Sequence, residues 1–270
     1  MDVFRPKPRI FTLTVIISTL SLLGLWTVSD PTHLVEHGTL DVADLVAASV
    51  CHRIPTHGFM LFGRPLPLCA RCSGIYTGIM LSITMICLSG RTRHAAFPQR
   101  TLSLILFAFI GLMGFDGFNS LAFDMGWYQL YTPHNTLRLL TGLAAGLAVG
   151  IFIQTVFAQT VWKDVVWQPV IGTMHELLSL LLLAALTSLL ILSNQPTILF
   201  VLAIVSVVGV LTILGMLYAI LFLVLIRREA FGTANWHVVP LYTVGLFIAS
   251  VQIIAIATFR YNLTGSLVGF

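Results

Sequence analysis

The chain has 270 residues, of which 57% are hydrophobic and only 9% are charged. A soluble domain carries about 25% charged residues, so this composition excludes a water-soluble fold and indicates an integral membrane protein. The formal net charge of +4 comes from scattered cations. Nucleic acid binding needs a basic stripe, so we predict none. We expect an all-α, polytopic transmembrane helical bundle in the lipid bilayer of the cell (cytoplasmic) membrane.

Seven apolar segments are each long enough for the roughly 20 residues that a spanning helix needs. They cover approximately residues 11–29, 69–90, 101–119, 135–158, 173–193, 196–226 and 238–259. The basic start of the first segment, and TVS before Asp30, also fit a cleaved signal peptide. Its apolar stretch is longer than a signal core, which favours a retained anchor over residues 1–29. Residues 30–158 then carry the polar chemistry, and residues 159–270 form a three-span bundle.

The loop cations predict an orientation with the N-terminus inside and the C-terminus outside. Of the 14 Lys and Arg residues, nine then lie inside, namely Arg5, Lys7, Arg9, Arg91, Arg93, Arg100, Lys163, Arg227 and Arg228. The remaining five lie outside, namely Arg53, Arg64, Arg71, Arg138 and Arg260. Residues 30–68 form an outer loop, in which DVADLVAASVCHRI has apolar residues at helical spacing. We predict a short surface helix there, with Asp41 as its N-cap.

Two cysteines, Cys69 and Cys72, lie in the stretch PLCARCSGIYTG at the outer start of the second span. Their spacing places both sulfurs on one face of a first helical turn. Cys51 and His52 precede them across a turn-rich loop, and Cys₃His is an ordinary ligand set for zinc. His57 and His134 are rival fourth ligands, and iron or copper stay open as the metal. Cys87 is about 22 Å further along the helix and is excluded.

Charged and polar residues within the predicted spans indicate a second group on the outer side. Asp116 lies in the third span and Arg138 in the fourth, and ionisable groups at membrane depth are usually paired. We predict an Asp116–Arg138 ion pair in a polar cluster with Asn135 and Arg71. A stripe of small residues on the fourth span, Gly142, Gly146 and Gly150, would bring the third span close. The same stripe could instead mediate a homodimer.

The motifs of residues 40–158 resemble an uncharacterised family of prokaryotic membrane proteins, the domain of unknown function 2085. Its members carry a CH pair, a proline soon after, C-x-R-C-x-G-x-Y-x-G, an Asp in the next span and N-x-x-R-x-x-T-G. The matching residues are Cys51, His52, Pro55, Cys69, Arg71, Cys72, Gly74, Tyr76, Gly78, Asp116, Asn135, Arg138, Thr141 and Gly142. This chain has Thr56-His57-Gly58 where members often have Arg-Ser after the proline. The resemblance implies a shared site but no known activity.

The residues are compatible with several functions. We favour a metal site on the outer face, structural or redox-active, formed by Cys51, His52, Cys69 and Cys72. A quinone-linked thiol–disulfide oxidoreductase is the alternative; it would use Cys69 and Cys72, with Cys51 as the exchanging thiol and quinone as cofactor. A permease is weakly indicated by Asp116, and residues 173–262 would also suit a scaffold subunit that contacts a membrane-complex partner.

Overall fold

The computed structural model of the protein describes residues 39–267. The predicted first span over residues 11–29, and the choice between anchor and signal peptide, lie outside that range. The described helices are α1 (Thr39–Ala48), α2 (Ala70–Leu88), α3 (Arg100–Asp124), α4 (Asn135–Val161), α5 (Met174–Leu192), α6 (Pro196–Leu225) and α7 (Val238–Thr264). The strands are β1 (Met60–Leu61), β2 (Arg64–Pro65), β3 (His94–Ala96) and β4 (Val166–Pro169), and short 3₁₀ turns cover Pro55–His57 and Asn235–His237.

Six of these helices, α2 to α7, are long and apolar enough to cross a membrane. The protein is therefore an all-α, multi-pass membrane bundle, as the composition predicts, and each of the last six predicted spans corresponds to one helix. The first turns of α2, α4 and α6 and the last turns of α3, α5 and α7 share one end of the bundle, which we call the cysteine end. A cluster with Ala70, Leu139, Ile191 and Leu199 packs there.

The central helix of the bundle is α4, and its glycine stripe packs against α2. A Cβ atom added at Gly142 or Gly146 would overlap the backbone carbonyl oxygens of Arg71 or Ile75. The prediction that this stripe brings α3 close was wrong, because α2 fills the groove that the glycines leave. Within the chain, the stripe is thus covered and is not a free surface.

Helix α3 lies at the periphery of the bundle. Much of its apolar surface is exposed, including Phe107, Phe115 and Phe118, as expected for a face in contact with lipid. A Cβ atom at Gly111 or Gly114 would meet nothing within 4 Å, so these glycines do not pack closely against a neighbouring helix.

The last two helices, α6 and α7, pack against the cysteine-bearing part of the chain. Gly209 of α6 lies against the backbone and side chain of Tyr76 in α2, and Gly245 of α7 lies against Gly215 of α6. The predicted surface helix is present as α1, and its apolar residues Val46 and Ala47 are buried against α6 and α7. Asp41 lies within α1 rather than capping it, so its assignment as N-cap was wrong.

The opposite end of the bundle carries two features that the sequence did not predict. Strands β3 and β4 pair in parallel there, with His94 opposite Val166. An ion pair joins Arg91 to Glu176 at 2.6 Å, and Glu176 also completes a capping box with Thr173 at the start of α5.

Candidate functional site

Three cysteines meet at the cysteine end, and they come from two separate segments of the chain. Cys51 follows the end of α1, Cys69 is the N-cap of α2 and Cys72 lies in its first turn. The three Sγ atoms all lie within 4.8 Å of one another. Cys51 and Cys69 are buried and Cys72 is half-buried, so the group lies just beneath the protein surface.

A tight hairpin returns the chain from Cys51 to Cys69. Strands β1 and β2 pair antiparallel, and Phe62 and Gly63 between them have φ values of 50° and 81°. Positive φ at both central residues is characteristic of the two-residue turn whose twist matches that of the two strands of a hairpin. The amide of Leu66 donates to the carbonyl of Phe59 at 3.0 Å, which extends the pairing toward Cys69.

Backbone amides point at the sulfur atoms. The N–H groups of Arg53 and Cys69 each donate to Cys51 Sγ at 3.4 Å, and the N–H of Cys72 donates to Cys69 Sγ at 3.5 Å. Hydrogen bonds from the thiols of Cys69 and Cys72, together with the amides of Cys69 and Arg53, lower the pKa of Cys51 to about 2. The bond to Cys51 raises the pKa of Cys69 to about 11. Negative charge on the Cys51 sulfur is therefore favoured by the two neighbouring thiols and the two amides.

Arg260 of α7 fixes the backbone on which Cys51 lies. Its guanidinium donates to the carbonyl oxygens of Ala48 at 3.2 Å, Cys51 at 2.7 Å and His52 at 2.7 Å. The carbonyls at the end of a short helix would otherwise lack partners. The loop-cation count predicts only that Arg260 is an outer cation; its position at the end of a predominantly apolar helix is the one sequence signal for a buried role.

The three predicted histidine ligands lie apart from the sulfur atoms. Within residues 39–267, the group that lies inside 4.8 Å contains the three cysteines and no histidine. His52 is exposed, and its Nε2 lies 3.4 Å from His57 Nδ1. His57 Nε2 in turn lies 3.2 Å from a carboxylate oxygen of Asp124. His134 caps α4, accepting from the amide of Leu137 at 3.4 Å.

The buried carboxylate of Asp116 pairs with Arg71, not with Arg138. Arg71 donates to Asp116 Oδ2 through Nη2 at 2.5 Å and through Nε at 3.2 Å, and also to the hydroxyl of Ser120 at 2.9 Å. The predicted Asp116–Arg138 ion pair was wrong, because the first turn of α2 faces α3 at this level. Arg138 instead donates to the side-chain oxygen of Asn135 at 3.0 Å.

The connection between α3 and α4 supplies the remaining partners of the Asp116 carboxylate. Gly126 has a φ of 70°, and the chain turns back along α3 from this left-handed position. The side chain of Asn119 accepts from the amide of Leu130 at 2.8 Å and donates to the carbonyl of Tyr131 at 2.9 Å. The hydroxyl of Tyr131 then donates to Asp116 Oδ1 at 2.8 Å. Burial and this bond raise the pKa of Tyr131 to about 12.

Asn135 connects the start of α4 to the outer loop. Its side-chain nitrogen donates to the carbonyl oxygens of Gly58 at 2.9 Å and Thr56 at 3.3 Å. Tyr131, Ser120 and Asp124 were not expected at the site. Tyr131 and Asp124 lie in or beside a loop whose path the sequence did not indicate. For Ser120, the only sequence signal was its position four residues after Asp116, which places both on one face of the helix.

These features define a class: a multi-pass membrane protein in which a three-cysteine group and a buried Arg–Asp pair lie at one end of the helical bundle. The sequence model of the family described as "Predicted membrane protein (DUF2085)" matches residues 51–152. The chain belongs to this family, which confirms the resemblance. The matched stretch contains both polar groups, while Arg260 lies outside it.

Two archaeal proteins are similar to this chain. An uncharacterized protein of Methanothermobacter thermautotrophicus is 33% identical over 107 residues, which are 40% of this chain and 86% of that protein. An uncharacterized protein of Methanocaldococcus jannaschii is 31% identical over 111 residues, which are 41% of this chain. The chain spans 65% of the length of that second relative. No solved structure matches.

Proposed function

We propose that this membrane protein binds a metal ion through Cys51, Cys69 and Cys72, with zinc as the expected ion. The proposal is carried by the approach of three sulfur atoms to within 4.8 Å of one another from two segments of the chain. Zn–S bonds of about 2.3 Å in a tetrahedral site require sulfur atoms about 3.8 Å apart. Sulfur atoms that lie within 4.8 Å of one another therefore need to approach by at most about 1 Å to enclose an ion.

The surroundings of the sulfur atoms suit thiolate ligands. Hydrogen bonds from the amides of Arg53, Cys69 and Cys72 stabilise negative charge on sulfur, as outer-shell donors do in metal–thiolate sites. Three thiolates and a divalent ion leave one net negative charge. The guanidinium of Arg260, which contacts the backbone of Cys51, would help to balance that charge in a buried setting.

His52 is the proposed fourth ligand, with an exogenous group as its rival. Because His52 lies outside the group of sulfur atoms in this structure, its ring would have to turn toward them to bind the ion. His52 is adjacent to Cys51 in the chain, and its contact with His57 would orient the ring while leaving Nδ1 free. Such a site would fasten the end of α1 to the start of α2. Thiolate-rich sites of this kind also accommodate iron or copper, so a redox role is compatible with the same residues.

Thiol–disulfide exchange is the second candidate function. It is favoured by the proximity of the three sulfurs and by the partial exposure of Cys72, because exchange requires an accessible thiol. A relay to quinone commonly uses a second cysteine pair. The chain has four cysteines in total, and the fourth, Cys87, lies near the far end of α2, so the metal site is the better supported proposal.

Metal content distinguishes the two functions. The protein is purified without chelator, and its metal is measured by inductively coupled plasma mass spectrometry in the wild type and in Cys51→Ser and Cys72→Ser. We expect about one metal ion per chain in the wild type and loss in both variants. Cys87→Ser is the matched control, because Cys87 is exposed at the other end of α2, and it should retain the metal.

The oxidation state of the thiols provides the contrary outcome. A metal-free wild type that carries a reducible bridge between Cys69 and Cys72, seen as a mass decrease of about 2 Da, would reject the metal site and favour exchange. Equal metal loss in Cys87→Ser would show that the ion is not held by the proposed residues.

We also propose that the cysteine end faces away from the cytoplasm, as the distribution of loop cations favours. Phe62, at the tip of the hairpin, is almost fully exposed, and Phe97, at the opposite end, is half-exposed. In intact cells, a membrane-impermeant maleimide should label the Phe62→Cys variant more than the Cys87→Ser parent, which still carries Cys72, and the Phe97→Cys variant no more than that parent, both variants being made in the Cys87→Ser background. The reverse pattern would invert the proposed orientation.

A further inference from the structure

Arg138 differs from the other arginines at the cysteine end. Arg53 pairs with Asp44 at 2.6 Å, and Arg71 pairs with Asp116. Arg64 contacts two carboxylates, and Arg260 donates to three carbonyl groups. Each of these guanidinium groups has either a counter-charge or several acceptors.

The guanidinium of Arg138 has a single acceptor within residues 39–267. Its Nη1 donates to the neutral side chain of Asn135 at 3.0 Å. The residue is only 4% exposed, and its Nε is buried without a partner among the described residues. A guanidinium carries five N–H donors, and the single bond from Nη1 leaves the Nε–Nη2 edge without an acceptor among the described residues. That edge is the one that binds a carboxylate or phosphate with two parallel hydrogen bonds.

The charges around Arg138 come from several elements. Arg71 of α2 adds positive charge, and Arg138 itself lies in the first turn of α4, where the helix dipole is also positive. On the negative side, Asp116 is occupied by Arg71 and Tyr131, and Asp124 contacts His57. Cys69 is a further nearby group that can carry negative charge. Neither Asp116 nor Asp124 lies within ion-pair distance of Arg138 in the described part of the chain.

We propose that Arg138 binds a phosphate-type oxyanion through its Nε–Nη2 edge. Arg71 and Arg138 both lie in the first turns of membrane-spanning helices, and the ends of such helices are where lipid headgroups are expected. The oxyanion is thus either the headgroup of an anionic phospholipid or a free phosphate. Because Nε is shielded from solvent in this structure, neighbouring side chains shift when the ligand enters. This site does not depend on the cysteines holding a metal.

Binding is measured on the purified full chain with two probes. In the first arm, inorganic phosphate is titrated calorimetrically into delipidated protein in a neutral detergent. In the second, the protein is placed in nanodiscs of phosphatidylcholine with or without phosphatidylglycerol, and retained lipid is counted by native mass spectrometry. The variants are Arg138→Gln, Arg138→Lys and Asp116→Asn. Arg100→Gln is the matched control, since Arg100 is exposed at the opposite end of α3.

We expect binding in at least one arm, and the arm identifies the source of the oxyanion. Arg138→Gln should weaken binding at least about tenfold. Arg138→Lys should weaken it less, because lysine keeps the positive charge but lacks the two parallel N–H donors of the guanidinium. Asp116→Asn should strengthen binding, because it removes a competing negative charge, whereas a purely structural role for this region predicts weakening. Arg100→Gln and the metal-site variant Cys72→Ser should leave binding unchanged.

Two results would overturn the proposal. One is the absence of binding in both arms, and the other is equal binding by wild type and Arg138→Gln. If Arg138→Gln does not fold, Arg138→Lys and Asp116→Asn decide the question by their opposite expected directions. Loss of oxyanion binding in Cys72→Ser but not in Arg138→Gln would assign the anion to the cysteine group and reject Arg138 as the binding residue.

Discussion

The region from α1 to α4 and the region from α5 to α7 use membrane-spanning helices differently. The first places Asp116, Arg71, Arg138 and the three cysteines at one end, and its central helix α4 is largely buried. In the second, the polar contacts between spans are few, such as the bond from Tyr218 to Gln252 between α6 and α7. Buried ionisable groups are costly in a bilayer, so their concentration in the first region indicates that the site lies there.

The second region nevertheless contributes to the site. Arg260 of α7 donates to the carbonyl groups around Cys51, and the apolar residues of α1 pack against α6 and α7. A chemically plain helix pair thus holds the segment that carries one of the three sulfurs. The first region thus carries the reactive and charged groups, and the second region holds one of them in position. Substitutions in each region should show these two roles separately.

Removal of the Arg260 guanidinium should have the largest effect. Arg260→Gln leaves two buried carbonyl groups and one half-buried carbonyl group short of a donor, and we expect a loss of about 3 kcal/mol or more in stability. The thermal midpoint in detergent and the reactivity of Cys51 with a maleimide measure this. Arg100→Gln is the control. An unchanged midpoint and unreactive Cys51 would show that the second region does not hold the turn.

Enlarging a glycine in each region should give an intermediate effect. A Cβ at Gly146 overlaps the backbone of Ile75 in α2, and a Cβ at Gly245 overlaps the backbone of Gly215 in α6. Each Gly→Ala substitution should cost about 1–3 kcal/mol, the usual range for overpacking. We expect only Gly146→Ala to change the reactivity of Cys72, because it shifts α2 itself.

Gly111 provides the control for both substitutions. A Cβ there meets nothing within 4 Å, so Gly111→Ala should be neutral or should stabilise the helix by up to about 1 kcal/mol. A loss of stability in Gly111→Ala as large as that in Gly146→Ala would contradict the assignment of α2 as the close neighbour of α4.

The smallest expected effect concerns Tyr131. Burial and the bond to Asp116 raise its pKa to about 12 from an ordinary 10. The folded state therefore keeps a proton that the unfolded state loses, so this contribution to stability is full below pH 10 and is lost as the pH rises through about 12. In Tyr131→Phe, stability should fall less steeply over that interval. Denaturant unfolding at successive pH values measures the slope.

Two further variants test the cause of that shift. In Asp116→Asn the pKa of Tyr131 should move down toward its ordinary value, because the carboxylate that favours the neutral phenol is removed. Tyr128→Phe is the matched control in the same loop, with a largely exposed side chain, and it should leave the steep fall in place. An unchanged slope in Tyr131→Phe would show that its phenol does not titrate differently in the folded state.

The sequence predicted those features that depend on composition and local spacing. Apolar length predicts the spans, because each helix in a bilayer must satisfy its own backbone hydrogen bonds. The C-x-x-C spacing at a helix start predicts neighbouring sulfurs, and the structure places Cys51 beside them. Whether the group holds a metal stays a prediction.

The errors concern choices among distant partners. Two arginines, Arg71 and Arg138, lie at a similar level in their spans and could each pair with Asp116. Likewise, either α2 or α3 could pack against the glycine stripe of α4. In each case the same physical requirement, a counter-charge or a close-packed neighbour, is met by either candidate. The order of helices along the chain does not decide between the two candidates, so the correct partner could not be predicted from the sequence.

By itself, the sequence determined a bundle of membrane-spanning helices with its polar residues concentrated between Cys51 and Arg138, since hydrophobic length and the cost of burying charge are local properties. Only the tertiary structure decided that α2 rather than α3 packs into the α4 glycines, that Arg71 takes Asp116, and that Arg260 holds the Cys51 turn. These outcomes follow from how six helices fill space together, and they leave Arg138 as the guanidinium whose acceptor among the described residues is a single neutral side chain.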